Sequence, residues 1–256
     1  MSGAARRIVL LTAQGTLAQI IINGLTQRLG PLTVISEMSE TRSEIFRRRM
    51  RLLGIVPALG QVALTFALRL DRRRRRKLEA VWQKHGLKPD ADPAIAVHRV
   101  PSVNSRECRD LLRTLAPDVV AVYGTRLLAR ATLGAVPAPF INYHAGITPK
   151  YRGQDPGYWA LATGDAEHAG VTIHLVDEGV DTGAVLYQAQ VAFGPEDTLA
   201  TYQHVQAATA LPLFARAIED ALAHRLRTVT VDLPSMKWFP PTLWTYVRIG
   251  LTRGVW

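Results

Sequence analysis

Short apolar runs, each bounded by polar or turn residues, recur along the first half of the chain. Their sequences are RIVLLTA, PLTVISE, AIAVHRV, DVVAVYG and PAPFINYH. Segments with helical periodicity lie between them, such as GTLAQIIINGLTQRL and NSRECRDLLRTLA. Strands that are apolar throughout and alternate with helices are typical of a parallel sheet covered on both faces. The pattern therefore predicts an α/β fold with a mostly parallel, doubly wound, Rossmann-like sheet.

The pattern changes after residue 145. GVTIHLVD and GAVLYQAQVAF alternate apolar and polar positions around a glycine-rich loop, which predicts a C-terminal antiparallel hairpin. Residues 196–225 then show the periodicity of one long amphipathic helix. We expect this helix to begin at the acidic pair Glu196 and Asp197, because acidic side chains are favoured at helix N-termini.

Two segments do not fit a minimal α/β domain, which we expect to span residues 1–225. One is a basic helical insertion at 42–85, and the other is an aromatic-rich C-terminal extension at 226–256. Residues 42–77 contain twelve Lys and Arg against two acidic residues, a balance that equals the formal net charge of +10 of the whole chain. The remainder is balanced, so a basic surface of the kind that binds nucleic acid is not predicted for the fold as a whole.

Cysteine usage and the N-terminus both indicate a reducing compartment. Cys108 is the only cysteine, so no intrachain disulfide can form, and its helical context predicts a buried filler residue. The first apolar run follows two arginines but is interrupted by Gln14, Gly15 and Gln19, which does not fit a secretory signal. We therefore expect a cytoplasmic protein.

The stretch INYHAGITPKYRG carries the first candidate chemistry. Asn142 and His144 lie two residues apart at the end of a predicted strand and so project to the same side, at the edge where open α/β sheets bind ligands. An amide donor, an imidazole and a nearby carboxylate such as Asp181 suit acyl transfer, because they can stabilise an oxyanion and move protons. Each residue alone is equally explained as a turn cap, a satisfied polar side chain or a soluble loop residue.

Four stretches together resemble the folate-dependent formyltransferases: APDVVAVYGTRLL, INYHAGITPKYRG, the WALATGD segment and AGVTIHLVDEGVDTGAVLYQ. The likeness is continuous over about residues 119–190. It implies that Asn142, His144 and Asp181 are the catalytic residues. It also implies 10-formyltetrahydrofolate as the formyl donor.

The resemblance implies where the folate would bind. Family members hold the pterin through backbone groups of the loop after the fourth strand, which here corresponds to Arg126, Leu127 and Leu128. The opposite side would be closed by the loop of Asp177, Glu178, Gly179 and Val180. Leu128 is equally well explained as a core residue. No metal is expected, because His144, His168 and His174 fall on different predicted elements and no ligand cluster is visible.

The acceptor is less defined. Candidate substrate-binding residues are Gly15 and Thr16 after the first strand, and Tyr151 and Arg152 in the PKYRG loop. Transfer RNA is not expected, because about thirty residues follow Arg225 and the family's tRNA enzymes carry a further C-terminal barrel. We expect a primary amine of a small molecule, an amino sugar or a related metabolite. Two alternatives remain: glycinamide ribonucleotide, and a catalytically idle binding or membrane-associated scaffold protein.

The insertion has an apolar middle, Leu52 to Leu70, between clusters of arginine. Gly54, Pro57 and Gly60 interrupt it, so a membrane-spanning helix is not expected. Two interpretations remain open. The apolar face packs on the domain or in a homodimer, or residues 42–77 lie on an anionic membrane surface, which would make the protein peripheral to the inner face of the membrane. We expect the segment to be dispensable for the chemical step.

Overall fold

The computed structural model describes residues 6–256, which are built around a seven-stranded sheet. The strands are β1 (Ile8–Thr12), β2 (Thr33–Glu37), β3 (Val97–Val100), β4 (Val119–Tyr123), β5 (Phe140–His144), β6 (Arg152–Gly153), β7 (Gly170–Leu175), β8 (Val185–Gln190) and β9 (Lys237–Trp238). The large sheet has the order β3-β2-β1-β4-β5-β7-β8. Strands β1 to β5 pair in parallel, and β7 and β8 join antiparallel, so the predicted fold class is confirmed.

Helices cover both faces of the sheet. They are α1 (Thr16–Leu29), α2 (Arg42–Leu53), α3 (Ile55–Leu70), α4 (Arg74–His85), α5 (Arg106–Leu115), α6 (Arg130–Leu133), α7 (Pro156–Ala162), α8 (Tyr202–Leu222) and α9 (Leu243–Arg253), with a short 3₁₀ turn at Ala166–His168. Helices α1 and α8 pack together on one face, and α5 covers the other.

Alternate residues of each strand reach different layers of the core. In β1, Leu10 packs in a cluster with Phe214 of α8, whereas Leu11 packs in a cluster with Cys108 of α5. Both faces of the strand are therefore buried, which explains why its sequence is apolar throughout. Cys108 is fully buried, and burial raises the pKa of its thiol to about 11, as expected for a core residue.

The long C-terminal helix starts later than the sequence pattern predicts. Helix α8 begins at Tyr202, and the acidic pair at 196–197 lies in the preceding turn. Asp197 closes that turn by accepting hydrogen bonds from the backbone N–H of Gly194 at 2.8 Å and from the hydroxyl of Thr201 at 3.1 Å. These local bonds compete with helix formation and explain the shifted start.

The basic insertion consists of helices α2, α3 and α4, which lie between β2 and β3 along the chain. A capping box starts α2, in which Thr41 and Glu44 satisfy each other's backbone N–H groups. Helix α3 packs on α9, and α4 packs on α8, where the indole N–H of Trp82 donates to Nδ1 of His204 at 2.9 Å. The predicted helical insertion is thus docked on the rest of the molecule.

The C-terminal extension packs back on the loop that follows β5. Strand β9 pairs in parallel with β6, and the Trp238 ring stacks on Trp159 with a centroid distance of 4.8 Å and on Tyr151 at 5.7 Å. The indole N–H of Trp159 donates to the carbonyl of Phe239 at 2.8 Å. The extension therefore packs against the PKYRG loop and supports it.

Among residues 6–256, no helix has the length and apolar character that crossing a membrane requires.

Candidate active site

A cavity of about 1310 Å³ lies at the carboxyl edge of the parallel strands. Residues that directly follow β1, β4 and β5 line it, including Ala13, Gly124 and Ala145. Strand β1 lies between β2 and β4, so the strand order reverses here, and open α/β sheets bind ligands at such a point. Ligand pockets commonly measure about 300–1,000 Å³, so this cavity has room for two reactants.

Asn142 and His144 both line this cavity from the end of β5, as the two-residue spacing predicts. The Asn142 amide nitrogen lies 3.0 Å from Nε2 of His174. The His144 side chain is buried, and its Nε2 lies 2.7 Å from the carbonyl oxygen of Tyr151. Because a carbonyl oxygen can only accept, Nε2 of His144 carries the hydrogen, and Nδ1 is the nitrogen left to take up a proton.

Nδ1 of His144 lies 3.4 Å from Oδ1 of Asp181. Burial lowers the pKa of His144 below its usual value, although the Asp181 charge and the Tyr151 carbonyl act in the opposite direction. The neutral imidazole is therefore favoured in the free protein. The 3.4 Å separation is long for a charged hydrogen bond, and it would tighten once Nδ1 is protonated.

Asp181 is held in place from both its backbone and its side chain. Its φ of 51° lies in the left-handed region, which Asp tolerates better than most residues. Its Oδ2 accepts the backbone N–H of Gly153 at 3.0 Å. Burial raises the pKa of Asp181, but His144, His174 and the Gly153 N–H outweigh it and hold this pKa well below the usual range. The structure thus brings the three predicted catalytic residues together around an ionised carboxylate.

His174 belongs to this site and is absent from the sequence prediction. It lies directly opposite Asn142 in the antiparallel pairing of β5 and β7. Its Nδ1 donates to the carbonyl of Leu175 at 2.8 Å, which leaves Nε2 to accept from the Asn142 amide at 3.0 Å. This bond fixes the orientation of the amide and leaves its second N–H available. The sequence pattern predicts the hairpin that contains His174. It does not give the register between β5 and β7, and only this register identifies the pairing of His174 with Asn142.

The predicted folate loop lines the same cavity with Arg126, Leu127 and Leu128. Arg126 holds the loop in place, because its backbone N–H donates to Oε1 of the buried Glu37 at 2.6 Å and its guanidinium donates to Oε2 at 3.0 Å. The Leu127 carbonyl accepts from Asn104 at 2.9 Å. Within residues 6–256, the backbone N–H and C=O of Leu128 have no hydrogen-bond partner, so this peptide edge fits a flat heterocycle.

The two leucines of this loop differ in exposure. Leu127 is 52% exposed and lies at the cavity wall, whereas Leu128 is 2% exposed and packs in the hydrophobic core. Leu128 is therefore a core residue that also lines the cavity. Its side chain anchors the loop in the core.

The opposite loop contributes Asp177, Gly179 and Val180 to the cavity, while Glu178 does not line it. Asp177 shapes the loop by accepting from the Gly179 N–H at 3.0 Å and from the Thr182 hydroxyl at 2.7 Å. Glu178 instead forms an exposed ion pair with Arg130 at 2.8 Å. Glu178 as a folate-binding residue stays a prediction, and its carboxylate is engaged by Arg130 in this structure.

Comparison with known proteins agrees with this arrangement. The sequence model of a family described as formyl transferase matches residues 5–218. The chain belongs to this family. Methionyl-tRNA formyltransferase from Burkholderia orbicola (strain MC0-3) is 37% identical over 150 residues, which are 58% of this chain and 44% of that protein. The chain thus spans less than half the length of the curated relatives it matches.

Solved structures of formyltransferases share the fold. A sugar N-formyltransferase from Shewanella sp. FDAARGOS_354 superposes with a TM-score of 0.54 at 16% identity, over 90% of this chain and 76% of that one. Phosphoribosylglycinamide formyltransferase from Bacillus halodurans superposes with a TM-score of 0.52 at 22% identity, over 85% of this chain and 96% of that one. The resemblance read from the sequence motifs is therefore confirmed at the level of family and fold.

The PKYRG loop of this formyl transferase family member acts through its backbone. The Tyr151 side chain is buried, and its hydroxyl donates to Asp165 at 2.6 Å. The Arg152 guanidinium donates to the Val180 carbonyl at 3.0 Å, which ties the two loops together. Neither side chain lines the cavity, so substrate binding by Tyr151 and Arg152 stays a prediction that this lining does not support. Their role in the structure is to position His144 and Asp181.

The start of α1 lies between two concave regions. Gly15 and Thr16 do not line the large cavity, although their neighbours Ala13 and Leu17 do. Thr16 instead lines a smaller cleft of about 460 Å³, together with four arginines of the insertion: Arg69, Arg72, Arg74 and Arg75. Substrate binding by Gly15 and Thr16 stays a prediction, and only Thr16 lines a concave region.

The insertion forms part of the cavity wall. Residues of α2 and α3 line it, among them Arg48, Arg49, Leu53, Leu64 and Leu68. The expectation that this segment is dispensable for the chemical step stays a prediction. The insertion is far from residues 142–181 along the chain. Its helices α2 and α3 nevertheless line the cavity, and α3 packs on α9.

Asp155 is a further carboxylate of the cavity that the sequence analysis did not single out. It is half-buried, precedes α7 with a φ of 51°, and accepts from the Gln203 amide at 3.2 Å. Burial raises its pKa to about 6, against the opposing effects of Gln203 and of the Arg49 charge. An acidic group of this kind in a cavity suits the recognition of an amine or of hydroxyl groups.

One group of metal-ligand types occurs within the described residues, away from the cavity. Asp165, Glu167 and His168 offer ligand atoms within 4.8 Å of one another. However, the Lys150 ammonium lies 2.6 Å from Asp165, and the Tyr151 hydroxyl also donates to this carboxylate. The group is therefore already organised around a lysine, and the expectation that the chemistry needs no metal stays a prediction.

Proposed function

We propose that this protein transfers a formyl group from 10-formyltetrahydrofolate to a primary amine of a small molecule. The observation that carries this proposal is the arrangement of Asn142, His144 and Asp181 on one wall of a cavity that also contains the Leu127–Leu128 peptide edge. A loop with unpaired backbone groups and an apolar side chain fits a pterin ring, and the large volume accommodates donor and acceptor together.

The residues support a stepwise acyl transfer. The amine nitrogen attacks the formyl carbon, and the carbonyl oxygen becomes an oxyanion that the free N–H of Asn142 can stabilise. His144 receives the amine proton at Nδ1, where the Asp181 carboxylate stabilises the imidazolium. The bond between the formyl carbon and N10 then breaks, and the proton passes to N10. The products are the formamide and tetrahydrofolate, with no net gain or loss of protons.

The acceptor is proposed to be a phosphate-bearing amine, with a nucleotide-linked amino sugar as the leading class. Arg48, Arg49, Arg69 and Arg74 line the cavity and would bind phosphate oxygens. Asp155 would contact the amine or sugar hydroxyls. The Shewanella structure named above is described as a sugar N-formyltransferase, and it shares this fold.

Glycinamide ribonucleotide is the second candidate acceptor, and one observation favours it. Thr16 at the start of α1 lines the smaller basic cleft, which would suit a single terminal phosphate. An idle scaffold is less well supported, because a protein without catalysis has no need to hold an ionised Asp181 against His144 and His174.

We expect His144→Ala to lower formyl transfer at least ~100-fold in a folded protein, the range for loss of a proton-transfer group. Asn142→Ala and Asp181→Ala should fall in the same range. The assay offers 10-formyltetrahydrofolate with nucleotide-linked amino sugars, glycinamide ribonucleotide and simple amines, and detects the added formyl group by mass spectrometry. His98→Ala is the matched control, since His98 is exposed and lies outside the cavity.

Undiminished turnover in His144→Ala, on any accepted amine, would rule out the assigned mechanism. Exclusive activity on glycinamide ribonucleotide would replace the leading acceptor with the second. If the wild-type protein formylates none of these amines and shows no thermal shift with a stable formyl-folate analogue, the scaffold interpretation would be favoured.

A further inference from the structure

Helix α3 presents a continuous apolar surface to solvent. Each of its members is 45% to 65% exposed, although all are large apolar side chains. We call this surface the α3 face, which consists of Ile55, Val56, Leu59, Val62, Phe66 and Leu70. Monomeric proteins rarely leave contiguous apolar patches of this kind in water unless they bind something.

The α3 face follows from the helical repeat. Ile55, Leu59, Val62, Phe66 and Leu70 are spaced by three or four residues, so they form one stripe over about 22 Å of helix. The opposite side of α3 is buried, where Gly60 contacts the Trp244 ring and the Gln61 amide donates to the Pro240 carbonyl at 2.8 Å. The helix is therefore docked through Ala58, Gly60, Gln61 and Leu64, and the α3 face is left without a partner within residues 6–256.

Helix α9 extends this surface. It packs beside α3, and its Trp244, Val247 and Leu251 recur at helical spacing and are also exposed. An aromatic ring next to aliphatic side chains suits the boundary between water and an apolar phase, where tryptophan is enriched. Two neighbouring helices thus both leave large apolar side chains exposed within residues 6–256.

Both ends of the α3 face are strongly basic. Exposed arginines precede it in the second half of α2 and follow it between α3 and α4 and in the first turn of α4, and within the described residues they form no ion pair: Arg47, Arg51, Arg72, Arg73 and Arg76. Arginine side chains at both ends of an apolar stripe match the phosphate groups that surround the hydrocarbon of a bilayer.

From this surface we infer that the protein docks on an anionic membrane through the α3 face and α9, with both helices lying in the plane of the interface. A second copy of the chain is a poorer partner. A two-fold contact through α3 would place the arginines at one end of the helix against those of the other copy, so like charges would meet. Anionic lipid has the complementary charge. With 16 residues, α3 lies on the surface and does not span it.

This inference is independent of the proposed function, since Val62 and Phe66 do not line the cavity. The test is co-sedimentation with vesicles of phosphatidylcholine and phosphatidylglycerol in equal parts, and with vesicles of phosphatidylcholine alone. The wild-type protein should bind the anionic vesicles, and added salt should weaken binding. Phe66→Glu and Val62→Glu should each lower the affinity at least ~tenfold. Val229→Glu, an exposed apolar position elsewhere, is the control and should bind like the wild type.

Circular dichroism verifies that the variants are folded, and sedimentation velocity without vesicles gives their oligomeric state. Absence of wild-type binding to anionic vesicles would overturn the inference. So would binding that survives both substitutions. A dimer in solution that Phe66→Glu dissociates, with no vesicle binding, would assign the α3 face to a second copy of the chain instead.

Discussion

At the scale of single residues, Asp155 makes the stability of the protein depend on pH. Burial in the cavity wall raises its pKa to about 6 in the folded state, whereas the unfolded value is about 3.8. A raised folded pKa stabilises the fold fully below the unfolded pKa, and this contribution is lost as the pH rises through the folded pKa. The window is therefore between about pH 4 and about pH 6. Allowing for partial exposure to cavity water, the effect is about 2 kcal/mol.

We expect Asp155→Asn to remove this pH-dependent component. Asparagine resembles the protonated carboxyl group, and it tolerates the left-handed backbone at this position. Urea unfolding at about pH 4 and about pH 7 would measure the free energy of unfolding in both proteins. The difference between them should grow with pH in favour of the variant. Asp232→Asn, at an exposed position, serves as the control. A constant difference across this range would contradict the raised pKa.

Single residues of the candidate site could be predicted from the sequence where the backbone repeat alone determines which side chains lie on the same side. Asn142 and His144 follow from a two-residue period at a strand end. His174 and Glu37 could not be found in this way, because each contacts its partner through strand register or through a bond across 89 positions of the chain. The aromatic stack of Tyr151 on Trp238 and the bond of Arg152 to the Val180 carbonyl could not be found in this way either, because both join residues far apart in the chain.

At the scale of elements, the contact between α3 and α9 depends on the absence of a side chain at Gly60. A Cβ atom there would lie 2.3 Å from the Trp244 ring, so the helices approach as closely as glycine allows. We expect Gly60→Ala to destabilise the protein by about 1–3 kcal/mol through overpacking. In a Trp244→Ala background the same substitution should stabilise by up to about 1 kcal/mol, because alanine is the better helix former.

Urea unfolding of the four proteins in this double-mutant cycle measures the change of sign. Circular dichroism at the helix band follows all four without depending on the removed indole. If Gly60→Ala has the same effect in both backgrounds, then Trp244 does not set the distance between α3 and α9.

The elements themselves were largely predictable. Strand β1 and helix α1 lie where the apolar runs and the turn at Gly15 place them, and α2 to α4 cover the predicted insertion. The start of α8 was not predictable, because an aspartate such as Asp197 can either provide a favourable charge at a helix start or accept hydrogen bonds in a turn. The packing of α3 on α9 was not predictable either, because it joins segments far apart in the chain and no local sequence pattern indicates it.

At the scale of the whole molecule, segments from across the chain converge on one cavity. Strand β5 supplies Asn142 and His144, the loop after β7 supplies Asp181, the C-terminal extension buttresses the PKYRG loop through β9, and the insertion adds basic side chains to the cavity lining. Arg49 is the clearest link, since it is half-buried, lines the cavity and acts electrostatically on Asp155. The insertion should therefore contribute to acceptor binding as well as to the docking surface.

This convergence predicts that Arg49→Ala raises the KM for the acceptor about tenfold or more, as expected when a charged hydrogen-bond partner of a phosphate is lost. The kcat should change little, because Arg49 is assigned to binding the acceptor phosphate and the loss concerns binding before and during the reaction alike. Arg47→Ala is the matched control, an exposed arginine of the same helix that does not line the cavity. Steady-state kinetics with a soluble acceptor, without membranes, separates this effect from docking. Equal KM values in both variants would indicate that the insertion acts in association alone. A fall in kcat with unchanged KM would place Arg49 in the chemical step.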